Sequence, residues 1–347
     1  MTNNLLEILD TILETKSYKD IATEINVAIG TVKRWKDLEK VPKQYSFELM
    51  KLANITIDYS KFTYREKDQF FTSSETAKYC YDKCIEIINN HGDKEEEYIF
   101  IEPSAGDGSF LKVLPEDRRI GLDIEPRDVE IKQGDYLKCR PDTTDFILNK
   151  FIVIGNPPFG LRGQLALKFI NHSSEFADYV CFILPQLFQS DGKGVPRKRV
   201  KGLNLIHSET LKTTFKEPTG KEIQVECIYQ IWSKYHKNEE YDIKEIDKSL
   251  MRVYSLSDGG TPSTTRNKKM FDKCDIYIPS TCFGKNKMKY YETFLDLPRK
   301  KGYGIVFHKE KEKNIMKFKK IDWLKVAFLS TNSAYNIRSS QIVEVFS

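Results

Sequence analysis

The residues best suited to chemistry in this sequence are Asn156, Pro157, Pro158 and Phe159. They follow the apolar run 151–155, which predicts a buried strand, and the two prolines would stop its hydrogen-bond ladder. The asparagine would then be held at the carboxyl edge of a sheet, where open α/β sheets bind their ligands. An amide oxygen, a carbonyl that cannot rotate away and a flat aromatic face suit gripping a planar NH2-bearing group, such as the amino edge of adenine. The alternative is a proline-rich turn with a core phenylalanine.

A second group of candidate ligand-binding residues lies upstream. An apolar segment ends at Glu102 and is followed by a small-residue loop, in which Gly106 lets the backbone approach a ligand without a Cβ atom in the way. A further short strand ends at Asp123, an acid fit to hold a ribose diol. Next along the chain, Asp135 lies beside Tyr136. Strand and glycine loop, strand and acid, acid and aromatic therefore precede the Asn-Pro-Pro-Phe segment in order.

This order of motifs resembles that of the S-adenosylmethionine-dependent N6-adenine DNA methyltransferases. Residues 69–77, Gln-Phe-Phe-Thr-Ser-Ser-Glu-Thr-Ala, resemble the segment that opens the cofactor site in the gamma arrangement of that family. The resemblance covers residues 65–235 and implies an α/β fold with a Rossmann-like class I methyltransferase sheet. It also implies S-adenosyl-L-methionine as cofactor, a C-terminal target-recognition region and a role in a restriction-modification system.

The resemblance implies a catalytic role for each residue of the Asn-Pro-Pro-Phe segment. The side-chain oxygen of Asn156 and the carbonyl of Pro157 would accept hydrogen bonds from the adenine amine, and Pro158 would stiffen the segment. Phe159 would stack on a base flipped out of the duplex. The family more often has tyrosine at this position, but stacking needs only a ring face. Phe215 would be a second stacking aromatic, with a core phenylalanine as the alternative.

The resemblance also implies a set of cofactor-binding residues. The backbone of Phe71 and the hydroxyl of Thr72 would approach the methionine end of the cofactor. Asp123 would hold the ribose hydroxyls, although the family often has glutamate there, and Asp135 would accept from the cofactor's adenine amine. Because the methyl donor is already activated by its sulfonium charge, we expect no metal ion. The full set is Phe71, Thr72, Glu102, Pro103, Ala105, Gly106, Gly108, Asp123, Ile124, Asp135 and Tyr136.

Length and composition bound the organisation of the chain. Its 347 residues, 40% of them hydrophobic, exceed what one core usually supports. We expect a helix-turn-helix-like unit at 1–60, a methyltransferase catalytic domain at 61–240 and a basic target-recognition region at 241–347. No apolar run is long enough to cross a bilayer and the N-terminus lacks a signal-peptide pattern, so we expect a cytoplasmic protein. Seven scattered cysteines predict reduced thiols.

Charge is unevenly distributed along the chain. The net charge is +5 overall, whereas residues 251–347 hold 19 Lys/Arg against 9 Asp/Glu, a net charge of +10. A basic C-terminal third on a slightly acidic body indicates a polyanion partner, with a solvated basic surface as the alternative. We expect that partner to be double-stranded DNA. A cognate restriction endonuclease would act on the same site without a stable complex.

Residues 1–60 predict a small helical unit. Leucine and isoleucine side chains between residues 5 and 13 share one helical face, and Ser17 with Asp20 offers a capping box for a second helix. A helix, a short turn and a helix with basic outward residues resemble a helix-turn-helix, in which Lys33 and Arg34 would contact DNA. A three-helix packing or protein-contact module is the alternative. The unit's role, extra DNA grip or repression of the chain's own gene, stays open.

Residues 191–202 predict a strongly basic loop from their Gly, Pro, Lys and Arg content. It would lie above the active site, where Arg197, Lys198 and Arg199 would clamp phosphates. A mobile solvent loop is the alternative. The alternating residues 223–232 then predict a late antiparallel strand.

The region 241–347 predicts short strands at 275–278, 304–307 and 324–329. The polar run 330–338 is rich in side chains that can read base edges, and it is equally compatible with a plain polar loop.

Three other functions are compatible with the sequence. RNA adenine methyltransferases share the Asn-Pro-Pro-Phe signature, and a basic C-terminal third would serve RNA as well. Protein glutamine N5-methyltransferases grip a planar amide with a similar segment, but their short loop substrate does not need a lysine-rich C-terminal third. A non-enzymatic DNA-binding regulator on a degenerate methyltransferase body is the third, and the intact Asn156, Asp123 and Gly106 argue against it.

Overall fold

The computed structural model describes residues 4–138, 140, 150–189, 195–241, 249–262, 264–284, 288–329 and 334–346. The chain divides into two compact units, residues 1–69 and 70–347. Residues 241–347 belong to the same compact unit as the predicted catalytic domain. The separate target-recognition region expected there therefore stays a prediction.

Across residues 4–69, the first unit consists of short helices. They are α1 Leu5–Leu13, α2 Tyr18–Glu24, α3 Ile29–Asp37 and α4 Ser46–Leu52. Ser17 and Asp20 form the predicted capping box at the start of α2. The turn 25–28 leads into α3, whose inner face buries Val32 and Trp35. The predicted succession of helix, short turn and helix is therefore present.

In the part of the second unit that the structure describes, helices combine with three sheets. Its strands are β1 Phe71–Thr72, β2 Tyr98–Glu102, β3 Arg119–Asp123, β4 Ile131–Gln133, β5 Lys150–Gly155, β6 Tyr179–Leu184, β7 Asn204–Lys216, β8 Glu222–Ser233, β9 Met251–Ser257, β10 Ile276–Pro279, β11 Thr281–Phe283, β12 Lys301–Phe307, β13 Phe328–Leu329 and β14 Ala334–Asn336. Its α-helices are α5 Ser74–Asn90, α6 Gln164–Ser173, α7 Lys311–Lys320, α8 Trp323–Val326 and α9 Ser339–Glu344. None of the helices in the described ranges has both the length and the hydropathy needed to cross a membrane.

Within the described residues, the largest sheet has eight strands in the order β1-β7-β8-β6-β5-β2-β3-β4. The strands β4, β3, β2, β5 and β6 pair in parallel, whereas β8 runs antiparallel to both β6 and β7. The order of the parallel strands reverses between β2 and β5, as in doubly wound nucleotide-binding sheets. The predicted Rossmann-like sheet and the late antiparallel strand are confirmed.

Helices on the two faces of this sheet explain why its central strands are apolar throughout. Ile152 and Ile154 of β5 face a core that includes Cys80 and Cys84 of α5. Val153, between them, faces the opposite core against α6. All three side chains are fully buried, so β5 is held rigidly from both sides. The Asn-Pro-Pro-Phe segment follows directly from this buried strand.

The C-terminal residues form two small antiparallel sheets, in the orders β10-β12-β9 and β11-β14-β13. The strand predicted at 304–307 is confirmed within β12, and the one predicted at 275–278 corresponds to β10, which is shifted by one residue to 276–279. The strand predicted at 324–329 is wrong in its first half, because Asp322 caps a helical turn by accepting from the N–H of Leu324 and Trp323 is buried beneath it. Residues 330–333 of the predicted base-reading run lie outside the described residues.

Candidate functional site

The candidate site lies where the strand order reverses, at the carboxyl ends of β2 and β5. Ile101 and Val153 are direct partners in these two parallel strands, so Glu102 and Asn156 emerge at the same edge. A Cβ atom added at Gly155 would lie 3.4 Å from Cγ of Glu102. Ligands of doubly wound sheets bind at this position. The fold therefore brings together the two motifs that the sequence separates.

Asn156 is held through its side-chain nitrogen and its backbone carbonyl. Its Nδ2 donates to Oγ1 of Thr72 at 3.1 Å, and its backbone carbonyl accepts from Oγ of Ser104 at 3.3 Å. Its Oδ1 atom is buried and has no hydrogen-bond partner among the described residues. The arrangement leaves a desolvated acceptor, positioned by neighbouring side chains, for a donor that comes from outside the chain.

The rest of the segment is equally well supported. Pro157 is buried, and the half-buried ring of Phe159 packs against the core on the α5 side of the sheet. The carbonyl of Phe159 accepts from the N–H groups of Leu165 and Ala166, both at 3.2 Å, at the start of α6. Pro158 is half-buried between them. The backbone of Phe159 is thereby tied to the start of α6.

Glu102 is the most deeply buried acid of the site, with 3% of its surface exposed. It accepts a hydrogen bond from the backbone N–H of Leu111, while its Oε2 atom has no partner among the described residues. Burial, reinforced by the negative charges of Asp107 and Asp123, raises the pKa of Glu102 well above its ordinary value. The loop thus contains an acceptor that a cationic ligand would stabilise in its ionised form.

Asp123 shapes the glycine loop. Its Oδ2 accepts from the N–H of Gly106 at 2.8 Å and its Oδ1 from the N–H of Glu125 at 2.7 Å. Burial raises the pKa of Asp123, although these two hydrogen bonds oppose the shift. Gly106 has a φ of +54°, and a Cβ atom there would lie 3.0 Å from the ring of Phe71. Only glycine fits this conformation and this contact without strain.

Phe71 closes the other side of the glycine loop. Its ring is 8% exposed, and the guanidinium carbon of Arg127 lies 5.0 Å from the ring centroid. The backbone N–H of Arg127 also donates to the carbonyl of Gly106 at 3.1 Å. Sequence reasoning missed Arg127 and Ser104, because no motif marks them and their contacts arise only from the fold.

The remaining predicted cofactor residues follow the strands β2, β3 and β4. Asp135 follows β4 and is half-buried, accepting from the N–H of Leu137 at 3.2 Å. The side chain of Tyr136 is 1% exposed and its hydroxyl lies 2.7 Å from Oγ of Ser173 in α6. Its ring therefore packs in the core, and its predicted place in the cofactor site stays a prediction. The other loop residues are Pro103, Ala105, Gly108 and Ile124.

Phe215 is also a core residue in this structure. It lies opposite Thr72 in the pairing of β1 with β7 and is 2% exposed, packed in the same cluster as Ile154. The alternative expected for this residue, a core phenylalanine, is what the structure shows. Its ring is not presented to a base.

The basic turn 196–199 is fastened to α6. Arg199 donates from Nη1 to Oε1 of Gln164 at 3.1 Å, so it holds the turn in place instead of facing solvent. Lys198 is exposed and Arg197 half-buried. Residues 191–194 of the predicted loop lie outside the described residues.

In the first unit, Lys33 and Arg34 are exposed on α3, as predicted. Lys33 lies 5.9 Å from the ring centroid of Tyr18, at the start of α2. Their contact with DNA stays a prediction.

Cysteines and acids of the described ranges form no metal site: no group of three or more His, Cys, Asp or Glu side chains is placed to hold an ion. The six cysteines in those ranges are free thiols, and the Sγ atoms of Cys84 and Cys181 lie 3.4 Å apart in the core.

No protein-family model matches the chain, and no curated protein matches it in sequence. Solved structures with some similarity include a candidate RNA methyltransferase from Pyrococcus horikoshii, with 18% identity and a TM-score of 0.32 over 46% of this chain and 84% of that chain. A protein of Thermoplasma acidophilum has 14% identity and a TM-score of 0.30 over 47% and 97% of the two chains. A SAM-dependent methyltransferase from Anabaena variabilis has 10% identity and a TM-score of 0.25 over 40% and 77%. Because these scores are low, the fold rests on the strand order and the site on the contacts described above.

Proposed function

We propose that this chain is an S-adenosylmethionine-dependent methyltransferase that methylates the exocyclic N6 amine of adenine at specific sites in duplex DNA. The observation that carries the proposal is Oδ1 of Asn156, a buried acceptor without a partner among the described residues. An unsatisfied buried acceptor costs about 1–3 kcal/mol, which a ligand with N–H donors would recover. The acceptor also lies at the sheet edge where doubly wound folds bind ligands.

The chemistry of an adenine amine explains the need for such an acceptor. The nitrogen lone pair is delocalised into the ring, so the free amine is a poor nucleophile. Oδ1 of Asn156 and the carbonyl of Pro157 would accept the two amine hydrogens, draw the nitrogen toward tetrahedral geometry and free its lone pair. The amine nitrogen becomes strongly acidic once methylated and then loses its proton. Positioning by rigid residues would carry most of the rate.

The residues of the neighbouring loop fit the cofactor. The buried Oε2 of Glu102 lacks a partner among the described residues, which suits a cationic group such as the cofactor's ammonium. Asp123 retains lone pairs for ribose hydroxyls beyond its two backbone hydrogen bonds. Gly106 leaves room for close approach. Bound S-adenosylmethionine supplies an electrophilic methyl group on a positively charged sulfur.

A base in duplex DNA must leave the stack to reach Asn156, at a cost of a few kcal/mol. The half-buried ring of Phe159 would repay part of that cost by stacking on the flipped base. Each base–aromatic stack is worth about 1–3 kcal/mol.

The basic C-terminal residues supply the preference for a polyanion. Arg338 donates from Nη1 to the backbone carbonyl of Gln186 and from Nη2 to Oε1 of Gln189 at 3.2 Å. These two residues follow β6, the neighbour of β5, which supports a position for the C-terminal region beside the active site. We propose that residues 241–347 read the target sequence, and that Lys33 and Arg34 provide a second DNA contact. A restriction-modification system is the proposed setting.

Product analysis tests this function. The purified full chain is incubated with methyl-labelled S-adenosylmethionine and, separately, with unmodified duplex DNA, total RNA and protein extract. Each pool is digested and the labelled species is identified by mass. Asn156→Ala serves as the inactive variant, and Asn90→Ala, at the exposed end of α5, as its matched control.

We expect label on N6-methyladenine from DNA, lost in Asn156→Ala and kept in Asn90→Ala. Label only in RNA would support methylation of adenine but would refute DNA as the substrate. Label on glutamine in protein would show that the substrate is neither adenine nor a nucleic acid. No label in any pool, with the cofactor bound, would refute the enzyme.

A further inference from the structure

The hydroxyl of Thr72 connects two segments that are distant in the sequence. Thr72 lies on β1, the edge strand beyond β7, whereas Asn156 follows β5 near the middle of the sheet. Nevertheless the Asn156 amide donates to the Thr72 hydroxyl at 3.1 Å. Because β7, β8 and β6 lie between β1 and β5 in the strand order, the contact requires the sheet to curve.

In this contact the nitrogen end of the Asn156 side-chain amide is turned toward Thr72. A side-chain amide carries two N–H donors at one end and an acceptor oxygen at the other. With Nδ2 on Thr72, the buried Oδ1 is left without a partner among the described residues. The opposite orientation would point N–H groups at the N–H groups of an amine, which repel. Productive chemistry needs the orientation observed.

The backbone of Asn156 is controlled separately. Ser104, in the loop after β2, donates to its carbonyl at 3.3 Å. Thr72 is 5% exposed, so solvent does not compete strongly for its hydroxyl. The side chain of Asn156 thus contacts the buried hydroxyl of Thr72, and its backbone carbonyl contacts the half-buried hydroxyl of Ser104.

We propose that Thr72 is a positioning residue that holds the Asn156 amide with its oxygen toward the substrate amine, and that it acts in methyl transfer through Asn156 and not through the cofactor. This inference rests on the proposed function. It differs from the expectation that the Thr72 hydroxyl contacts the methionine end of S-adenosylmethionine.

The test compares Thr72→Val, which keeps the shape and removes the hydroxyl, with Thr72→Ser, which keeps the hydroxyl. Thr213→Val is the matched control, because it removes a buried hydroxyl that pairs with Thr76 at 2.6 Å. Three quantities are measured on the full chain: single-turnover methyl transfer at saturating substrates, cofactor affinity by calorimetry, and the side-chain amide NMR signals after selective 15N-asparagine labelling.

We expect Thr72→Val to slow methyl transfer by about 10- to 100-fold, the usual effect of misplacing a reacting group. Thr72→Ser should recover most of the rate, and both variants should keep a cofactor affinity within about twofold of the wild type. The Asn156 amide signal should shift in Thr72→Val and stay in place in Thr213→Val.

Each contrary result has a distinct meaning. A loss of cofactor affinity in Thr72→Val without a loss of rate would assign the hydroxyl to the cofactor and overturn the proposal. Equal loss in Thr72→Ser and Thr72→Val would also overturn it. If the wild-type chain methylates nothing, the proposed function fails. The NMR comparison still tests the Thr72–Asn156 pair in that case, and an unshifted signal in Thr72→Val refutes the pair.

Discussion

The carboxylate of Asp123 accepts a 2.8 Å hydrogen bond from the backbone N–H of Gly106. The bond ties the end of β3 to the glycine loop that follows β2, and the other oxygen of Asp123 accepts from Glu125 at 2.7 Å. One side chain therefore holds the loop on which the proposed cofactor site depends.

Asp123→Ala should weaken cofactor binding about tenfold or more, because hydrogen bonds to a charged group are worth about 1.5–3 kcal/mol. Calorimetric titration with S-adenosylmethionine measures the change. Asp258→Ala is the control, since Asp258 accepts from Gly260 in a C-terminal glycine loop. Unchanged cofactor affinity in Asp123→Ala would refute the proposal that Asp123 binds the ribose of the cofactor.

Phe159→Ala should weaken the capture of a flipped base, because it removes a stacking face worth about 1–3 kcal/mol. Phe159→Tyr keeps the face and should stay close to wild type. The measurement is the fluorescence of 2-aminopurine placed at the methylated position of a duplex, which rises when the base leaves the stack. A Phe159→Ala variant with undiminished fluorescence and rate would assign Phe159 to the core alone.

The strands that position the site could be predicted because both of their faces are buried. β2, β5 and β6 are apolar along almost their whole length, and such runs leave little choice of structure. The polar residue at the end of the first two of these runs was then assigned to the sheet edge. That logic placed Glu102 and Asn156 correctly at adjacent strand ends.

Side-chain environments at the same edge could not be predicted equally well. Tyr136 and Phe215 are aromatic whether they line a ligand site or fill a core, and the structure buries both. The segment 324–329 is apolar enough for a strand, yet the cap at Asp322 starts a helical turn. The contact between Thr72 and Asn156 depends on how the sheet curls, which no local pattern encodes.

Glu102 should make folding stability fall as the pH rises. Burial, with the charges of Asp107 and Asp123, raises its pKa well above the ordinary value of 4.5. Above that pH the unfolded chain releases this proton while the folded chain keeps it, so stability declines toward the raised pKa. Glu102→Gln, which does not ionise, should unfold at a higher temperature than wild type near pH 8 and at a similar one below about pH 4.5.

Thermal unfolding of both chains across this range measures the effect. Glu97→Gln is the control, because Glu97 is half-exposed and paired with Lys150 at 2.6 Å. Identical pH profiles for wild type and Glu102→Gln would show that Glu102 is ionised in the folded chain.

Asp93 should have the opposite pH dependence. Burial disfavours its ionised form, but hydrogen bonds from Tyr179 and His236 outweigh burial and lower the pKa of Asp93 below 3.8. Its stabilisation is therefore present above about pH 3.8 and is lost as the pH falls through the lower folded value. Asp93→Asn should destabilise the chain by about 1–3 kcal/mol at neutral pH. Urea unfolding at neutral pH and near pH 3 measures the difference, which should shrink at the lower pH; a constant difference would contradict the linkage.

Arg338→Ala should weaken DNA binding more than the loss of one charge explains. The Arg338 side chain joins the C-terminal region to Gln186 and Gln189, and its guanidinium carbon also lies 4.9 Å from the ring centroid of Phe328. Without this side chain, the basic region would lose its attachment beside the active-site edge. Affinity for the duplex should then fall about tenfold, as expected for the loss of charge-assisted hydrogen bonds. Arg252→Ala, exposed on β9, removes the same charge from the same region and should cost less. Fluorescence anisotropy with a labelled duplex at constant salt measures the affinity of both variants. Equal losses of affinity would mean that charge alone, and not the attachment of Arg338 to Gln186 and Gln189, governs DNA binding.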